Sequence, residues 1–170
     1  MPDEIRFSPL VDHLRHLYPH WDGVKQLNGT EKRLYQMFEE LCWSEEKIQE
    51  ELERHTKLFE DGYQESLTAS GIVVTTLCPH HLLPCRFRVS VTYEPQGKVL
   101  GLSKFARIAV ILGKRPIMQE TYTRELAECL MIRTNPKMVE VETKGVHGCL
   151  LYRGAKQEEM EVVSKVRLPR

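Results

Sequence analysis

Arg86-Phe87-Arg88-Val89-Ser90-Val91-Thr92-Tyr93 alternates strictly between polar and apolar side chains. A period of two puts Phe87, Val89, Val91 and Tyr93 on one face of a strand and the polar residues on the other. A strand with one buried and one wet face belongs to an antiparallel sheet rather than a parallel sheet covered on both sides. Upstream, Ile72-Val73-Val74-Thr75-Thr76-Leu77 is short and rich in β-branched residues, which predicts a buried strand. Downstream, Pro95-Gln96-Gly97 turns the chain and Val99-Leu100-Gly101-Leu102 returns it.

Further along, the period changes. Ser103 can cap a helix with Phe105, Ala106, Ile108, Ala109 and Leu112 on its apolar side, ended by Gly113. A second helix is expected from Gln119 to Arg133, with Leu126, Leu130 and Ile132 inward and Asn135-Pro136 closing it. Met138 to Thr143 and His147 to Tyr152 read as a strand pair around a turn at Lys144-Gly145, and Glu159 to Val166 as a last strand. Before Ser66 the pattern is helical. Ser8-Pro9 opens one helix with Leu10, Val11, Leu14, Leu17 and Tyr18 inward, and a loop from Trp21 to Gly29 follows. Thr30 caps a second, and Ser44 starts a third with a stripe of Ile48, Leu52 and Phe59, stopped by Gly62. The expected class is α+β: residues 1–65 form an N-terminal helical region, and residues 66–170 an antiparallel sheet with two helices on one face, together one structural unit.

The chain has 170 residues, enough for a sizeable core. Its 24 acidic and 24 basic residues cancel, which argues against a general nucleic-acid binder. No apolar run reaches membrane-spanning length and no signal-peptide layout is present, so a cytoplasmic protein with no membrane partner is expected. Five cysteines, an odd number, fit metal ligation and buried thiols better than a disulfide framework.

Cys78-Pro79-His80-His81 places a thiolate and two imidazoles directly after the first strand. Cys-x-x-His lets both residues reach one zinc ion, Zn2+, although structural zinc knuckles share that spacing. A second cluster, His147-Gly148-Cys149, supplies another thiolate and imidazole, and on a strand these two would face the same way. Cys78, His81 and Cys149 would make a catalytic site with an open fourth position; His80 or His147 as fourth ligand would close it into a structural one. Otherwise these two imidazoles are placed for acid–base work. Ser103, Lys104 and Arg107 open a predicted helix, where free N–H groups favour an anion, and Arg153 follows Cys149. Lys104, Arg107 and Arg153 also read as ordinary surface charges. Glu120, after Gln119, can accept hydrogen bonds from an amino group and a ring N–H such as guanine offers, or can simply complement the helix dipole.

These residues resemble a family. Cys78-Pro79-His80-His81, Leu100-Gly101-Leu102-Ser103-Lys104 with Ala106-Arg107, Gln119-Glu120, and His147-Gly148-Cys149 with Arg153-Gly154 look like the ordered motifs of GTP cyclohydrolase I. The resemblance runs from about Thr30 to Gly154 and implies a tunnelling fold whose sheets close into an oligomeric barrel. It implies zinc on Cys78, His81 and Cys149, acid–base roles for His80 and His147, and a guanine anchor at Glu120 helped by Gln119. Lys104, Arg107 and Arg153 would hold the triphosphate, Ser103 would lie beside the ribose, and Arg33 would come from a neighbouring subunit. The implied reaction is hydrolysis of GTP at C8 to 7,8-dihydroneopterin triphosphate and formate, in a homo-oligomer of paired pentamers. Pro79, Gln36 and Thr121 depart from the family pattern of Glu, a basic residue and Arg. Two other functions fit the same residues: a tunnelling-fold enzyme on another purine or pterin, or a non-catalytic nucleotide-binding protein with a structural zinc.

Overall fold

The computed structural model describes residues 7–60 and 62–170; the first six residues of the N-terminal region lie outside the described residues. These residues form two compact units that divide between Cys42 and Trp43, whereas sequence periodicity changes at 65/66. The first unit holds α1 (Ser8–Leu17), a 3-10 helix (Asp22–Leu27) where a loop was expected, and α2 (Thr30–Leu41). Phe7 stacks on Phe38 at 5.4 Å and Arg15 pairs with Asp12 at 2.7 Å. Of the expected inner face of α1 only Val11 is fully buried, while Leu10, Leu17 and Tyr18 are half-exposed.

The second unit carries the sheet. Ser44 caps α3 (Glu45–His55) by accepting from the Lys47 N–H, and Ile48 and Leu52 face inward. The helix ends at His55, not near Gly62. Phe59 lies instead on β1 (Leu58–Glu60), which pairs with β4 (Lys98–Leu100) and stays half-exposed. The return after Pro95-Gln96-Gly97 therefore joins a small second sheet rather than the main one.

The main sheet is antiparallel, in the order β2-β3-β5-β6: β2 (Leu67–Leu77), β3 (Pro84–Glu94), β5 (Met138–His147) and β6 (Val162–Pro169). β3 alternates as its sequence requires, with Cys85, Phe87, Val89, Val91 and Tyr93 buried. β2 begins five residues before Ile72 because a bulge between Ala69 and Ile72, with Gly71 at φ +75°, resets the register.

Two helices, α4 (Leu102–Leu112) and α5 (Gln119–Thr134), cover one face, α4 over β2 and α5 over β5 and β6. Gly101, not Ser103, sits at the N-cap of α4. On α5 the buried stripe is Tyr122, Leu126, Ala127 and Leu130, while Ile132 is 82% exposed. The other face carries Arg86, Arg88, Lys144 and Val146, all exposed. No described helix is long and apolar enough to cross a membrane.

The expected turn at Lys144-Gly145 is absent. β5 runs straight through it to His147, and α6 (Gly148–Leu151) follows. Gly145 serves close packing instead, since a methyl group there would overlap Gln119 Oε1 and crowd Phe87. His147 and Cys149 are consequently not i and i+2 of one strand; the chain turns between them.

Candidate active site

Three loop ends meet at one end of the sheet. Cys78 follows the last residue of β2. The Leu82 N–H donates to its carbonyl at 2.8 Å and the Cys78 N–H donates to the Leu83 carbonyl at 2.9 Å, closing a tight turn. Leu82 takes φ +53° to complete it, a conformation an L residue enters only under constraint. The turn folds His81 back to 3.6 Å from Cys78 Sγ through Nδ1 and leaves His80 Nδ1 at 3.9 Å. Cys149 arrives from the other side of the sheet, on the first turn of α6.

Ligand atoms of Cys78, His81 and Cys149 all lie within 4.8 Å of one another. Two soft sulfurs and an imidazole at that separation fit zinc. Burial, and then the neighbouring Cys78, raise the Cys149 thiol above its ordinary range. A bound cation is what would bring the Cys149 thiol to the ligating thiolate form.

A cavity of about 200 Å³ adjoins the cluster, lined by Cys78, His80, Cys85, Glu120, His147 and Cys149, with Ile117, Met118, Leu150 and Val162 as apolar wall. Glu120 is exposed at its rim. His147, the last residue of β5, is partly buried, and burial lowers its pKa against the opposing pull of Glu120, favouring neutral imidazole. Its Nε2 lies 2.7 Å from Gln119 Oε1 and its Nδ1 3.4 Å from Cys85 Sγ. Burial first, then Cys78 and Cys149, pushes the Cys85 thiol up to about 11. Arg153 Nη1 is 2.6 Å from His81 Nε2.

A model of the GTP cyclohydrolase I family matches residues 20–168 of this chain. The chain belongs to that family. A relative named GTP cyclohydrolase 1 from Pelotomaculum thermopropionicum is 36% identical over 148 residues, spanning 86% of this chain and 76% of its own. One of the same name from Coxiella burnetii is 31% identical over 168 residues, covering 95% and 89%. Among solved structures, an archaeosine synthase QueF-like protein in the apo form is 25% identical, with a TM-score of 0.47 over 63% of this chain and 94% of its own.

Of the residues to which the family resemblance gives roles, Cys78, His80, His81, Gln119, Glu120, His147, Cys149 and Arg153 come together here. Ser103, Lys104 and Arg107 do not. Phe105, in their midst, packs on Tyr93 with ring centroids 5.4 Å apart. Tyr93 is eight residues along β3 from Cys85, roughly 26 Å at strand spacing. The C-terminal end of α4, at Gly113, is the end that abuts Val74 on β2. The basic start of α4 thus lies at the opposite end of the sheet from the cysteines. Arg33, in the first unit, donates to Thr30 Oγ1 at 2.8 Å and to the Gln26 carbonyl at 3.1 Å.

Two residues of the site were not anticipated from sequence. Cys85 continues the buried alternation of β3 and reads as one more core thiol. Gly145 reads as a turn former. Neither carries a local signal of its role, because each is defined by a side chain arriving from another element.

Proposed function

We propose that this chain is a zinc-dependent GTP cyclohydrolase I that hydrolyses GTP at C8, giving 7,8-dihydroneopterin triphosphate and formate. Family membership supports the activity. The observation that carries the site assignment is the convergence of Cys78, His81 and Cys149 beside a cavity lined by His147 and Glu120.

Cys78, His81 and Cys149 would hold the zinc, and His80 and His147 remain for proton transfer. A zinc ion held there would supply a bound water whose pKa falls from near 16 toward about 7. Glu120 binds guanine, its carboxylate accepting from the ring N–H and the exocyclic amino group, which turns C8 toward the cluster. His80, exposed beside Cys78, donates a proton to the imidazole nitrogen as the purine ring opens. His147, neutral by burial, moves the proton needed for ribose opening. Arg153, beside His81, meets a phosphate.

The cavity of about 200 Å³ is smaller than the roughly 300–1,000 Å³ of pockets that enclose a whole ligand. It suits the base, and the triphosphate must extend beyond it. Ser103, Lys104 and Arg107 are the groups suited to receive ribose and phosphates, and they lie too far away within one chain. This separation, together with open edges at β2 and β6, supports a ring-shaped homo-oligomer, paired pentamers by family resemblance, in which one chain's basic helix start completes its neighbour's site and Arg33 adds from another subunit.

The direct test is incubation with GTP and zinc, followed by assay for formate and for a fluorescent oxidised pterin. Both products are expected in equal amounts; consumption of GTP without formate overturns the assignment.

A further inference from the structure

The two ring nitrogens of His147 have partners of unequal strength: Gln119 Oε1 at 2.7 Å from Nε2 and Cys85 Sγ at 3.4 Å from Nδ1. Heavy atoms alone do not say which nitrogen carries the proton, but the network behind Gln119 does. Gln119 Nε2 lies 3.1 Å from the Thr143 carbonyl, 3.0 Å from Thr143 Oγ1 and 2.9 Å from the Val162 carbonyl. Carbonyl oxygens only accept, so the amide turns its NH2 toward them and its oxygen toward His147. The hydroxyls agree. Thr123 Oγ1 donates to the Gln119 carbonyl at 2.7 Å, so at its 2.7 Å contact with Thr143 it accepts, leaving Thr143 Oγ1 free to accept from Gln119. Gln119 Oε1 can only accept, and therefore Nε2 of His147 carries the hydrogen. In the neutral ring Nδ1 is then an acceptor, and it faces the Cys85 thiol, whose single hydrogen can turn to it at 3.4 Å rather than to the Leu83 carbonyl at 3.8 Å.

The surrounding backbone accommodates this arrangement. Gln119 and Cys85 are each 1% exposed. The Gln119 side chain lies along one face of β5 from Thr143 to His147, passing over Gly145, where any side chain would overlap it. Phe87 closes the other side of the imidazole at 5.7 Å between ring centroids.

We propose that Gln119 and Cys85 are positioning residues for His147, fixing the Nε2–H tautomer and leaving Nδ1 as the nitrogen that exchanges its partner for substrate. The bond to Gln119 is short and its far end is tied to three acceptors. The thiol is a weak donor at longer range and is readily displaced. The ring therefore stays anchored through Nε2 and presents an acceptor to the cavity that it and Cys85 both line. This inference rests on the acid–base role proposed for His147. It gives Gln119 a task different from the guanine contact implied by the family resemblance.

The test is solid-state 15N NMR of the zinc-loaded full-length protein labelled at histidine, at a pH where the ring is neutral, with the His147 signal identified by its loss in His147→Asn. The wild type is expected to show Nε2–H alone. Gln119→Leu should lose that single tautomer and about ten- to a hundredfold in kcat with KM for GTP little changed, by analogy with removing the partner that orients a metal-ligating histidine. Gly145→Ala should reproduce both effects. Cys85→Val should keep the tautomer and slow turnover, with Cys85→Ser, whose hydroxyl can also donate, recovering most of the rate. The variants test separate contacts, so a misfolded Gln119→Leu leaves the others decisive. An unchanged tautomer in Gln119→Leu and Gly145→Ala overturns the proposal, as does a raised KM at constant kcat, which would mean direct substrate contact. A wild type that shows Nε2–H yet releases no formate from GTP would refute the proposed activity while leaving the tautomer assignment standing.

Discussion

The two ends of the main sheet are built differently. At the Cys85–His147 end, groups from β2, β3, β5, α5 and α6 converge, and the imidazole of His147 is engaged at both nitrogens. At the Tyr93 end, Ser103 and Arg107 are exposed on the first turns of α4, and among the described residues neither Lys104 nor Arg107 forms an ion pair. The first end gathers the candidate metal-ligating and acid–base groups. The second carries cations at a helix start, far from the first within its own chain. In the proposed assembly a protomer would contain every residue its chemistry needs and still lack a whole site.

The most severe test falls on the ordered end. Cys149→Ser is expected to lose both zinc and activity, because a hydroxyl is a poor substitute for a ligating thiolate. His147→Ala is expected to keep its zinc while kcat falls by roughly two to four decades, the range for acid–base catalysis. Metal analysis alongside turnover separates the two, and loss of zinc from His147→Ala would make that end a closed structural site.

Subunit mixing tests whether the two ends act together across an interface. Arg107→Ala and His147→Ala chains, each nearly inactive alone, should regain activity when subunits are exchanged, because some mixed interfaces then carry both intact residues. Proven exchange without recovery, or a fully active monomer by light scattering, would mean that each chain completes its own site.

A smaller effect is expected at the cavity rim. Glu120→Ala leaves guanine donors unpaired and should weaken GTP binding by about 1–3 kcal/mol, read as a raised KM. ATP lacks that donor pair and should be a poor substrate; equal processing of ATP and GTP would remove Glu120 from its role.

The smallest effect concerns stability in alkali. The Cys85 thiol ionises near 11 in the folded chain against about 9 when exposed, so the unfolded chain gives up its proton first. The contribution is complete below about pH 9 and is lost as pH rises toward about 11, by about 3 kcal/mol at most and less with solvent screening. Urea denaturation across that window should show a decline in wild type that flattens in Cys85→Val; parallel curves would mean the thiol does not couple to folding.

How far the sequence could be read differs between the same regions. β3 was legible because each of its residues reports its own face through the period of two. The candidate trio Cys78, His81 and Cys149 was legible as a convergence because zinc accepts few side-chain types and Cys78 and His81 sit within one turn. β5 was misread at Gly145, since a glycine that avoids another element looks locally the same as one that turns the chain. The helix expected to continue to Gly62 stopped at His55 because Phe59 found a β1 partner in β4, a pairing across about forty residues.

Local chemistry therefore decided the element types, the α+β class and the identity of the metal-ligating, acid–base and guanine-binding candidates. Packing between distant elements set the rest: Gln119 points at His147, Cys85 faces Nδ1, and Ser103, Lys104 and Arg107 stand at the far end of the sheet. The physical reason is range. Backbone period, capping and ligand preference act within a few residues, whereas hydrogen-bond partners and site completeness depend on strand register and helix docking, which bring together groups far apart along the chain.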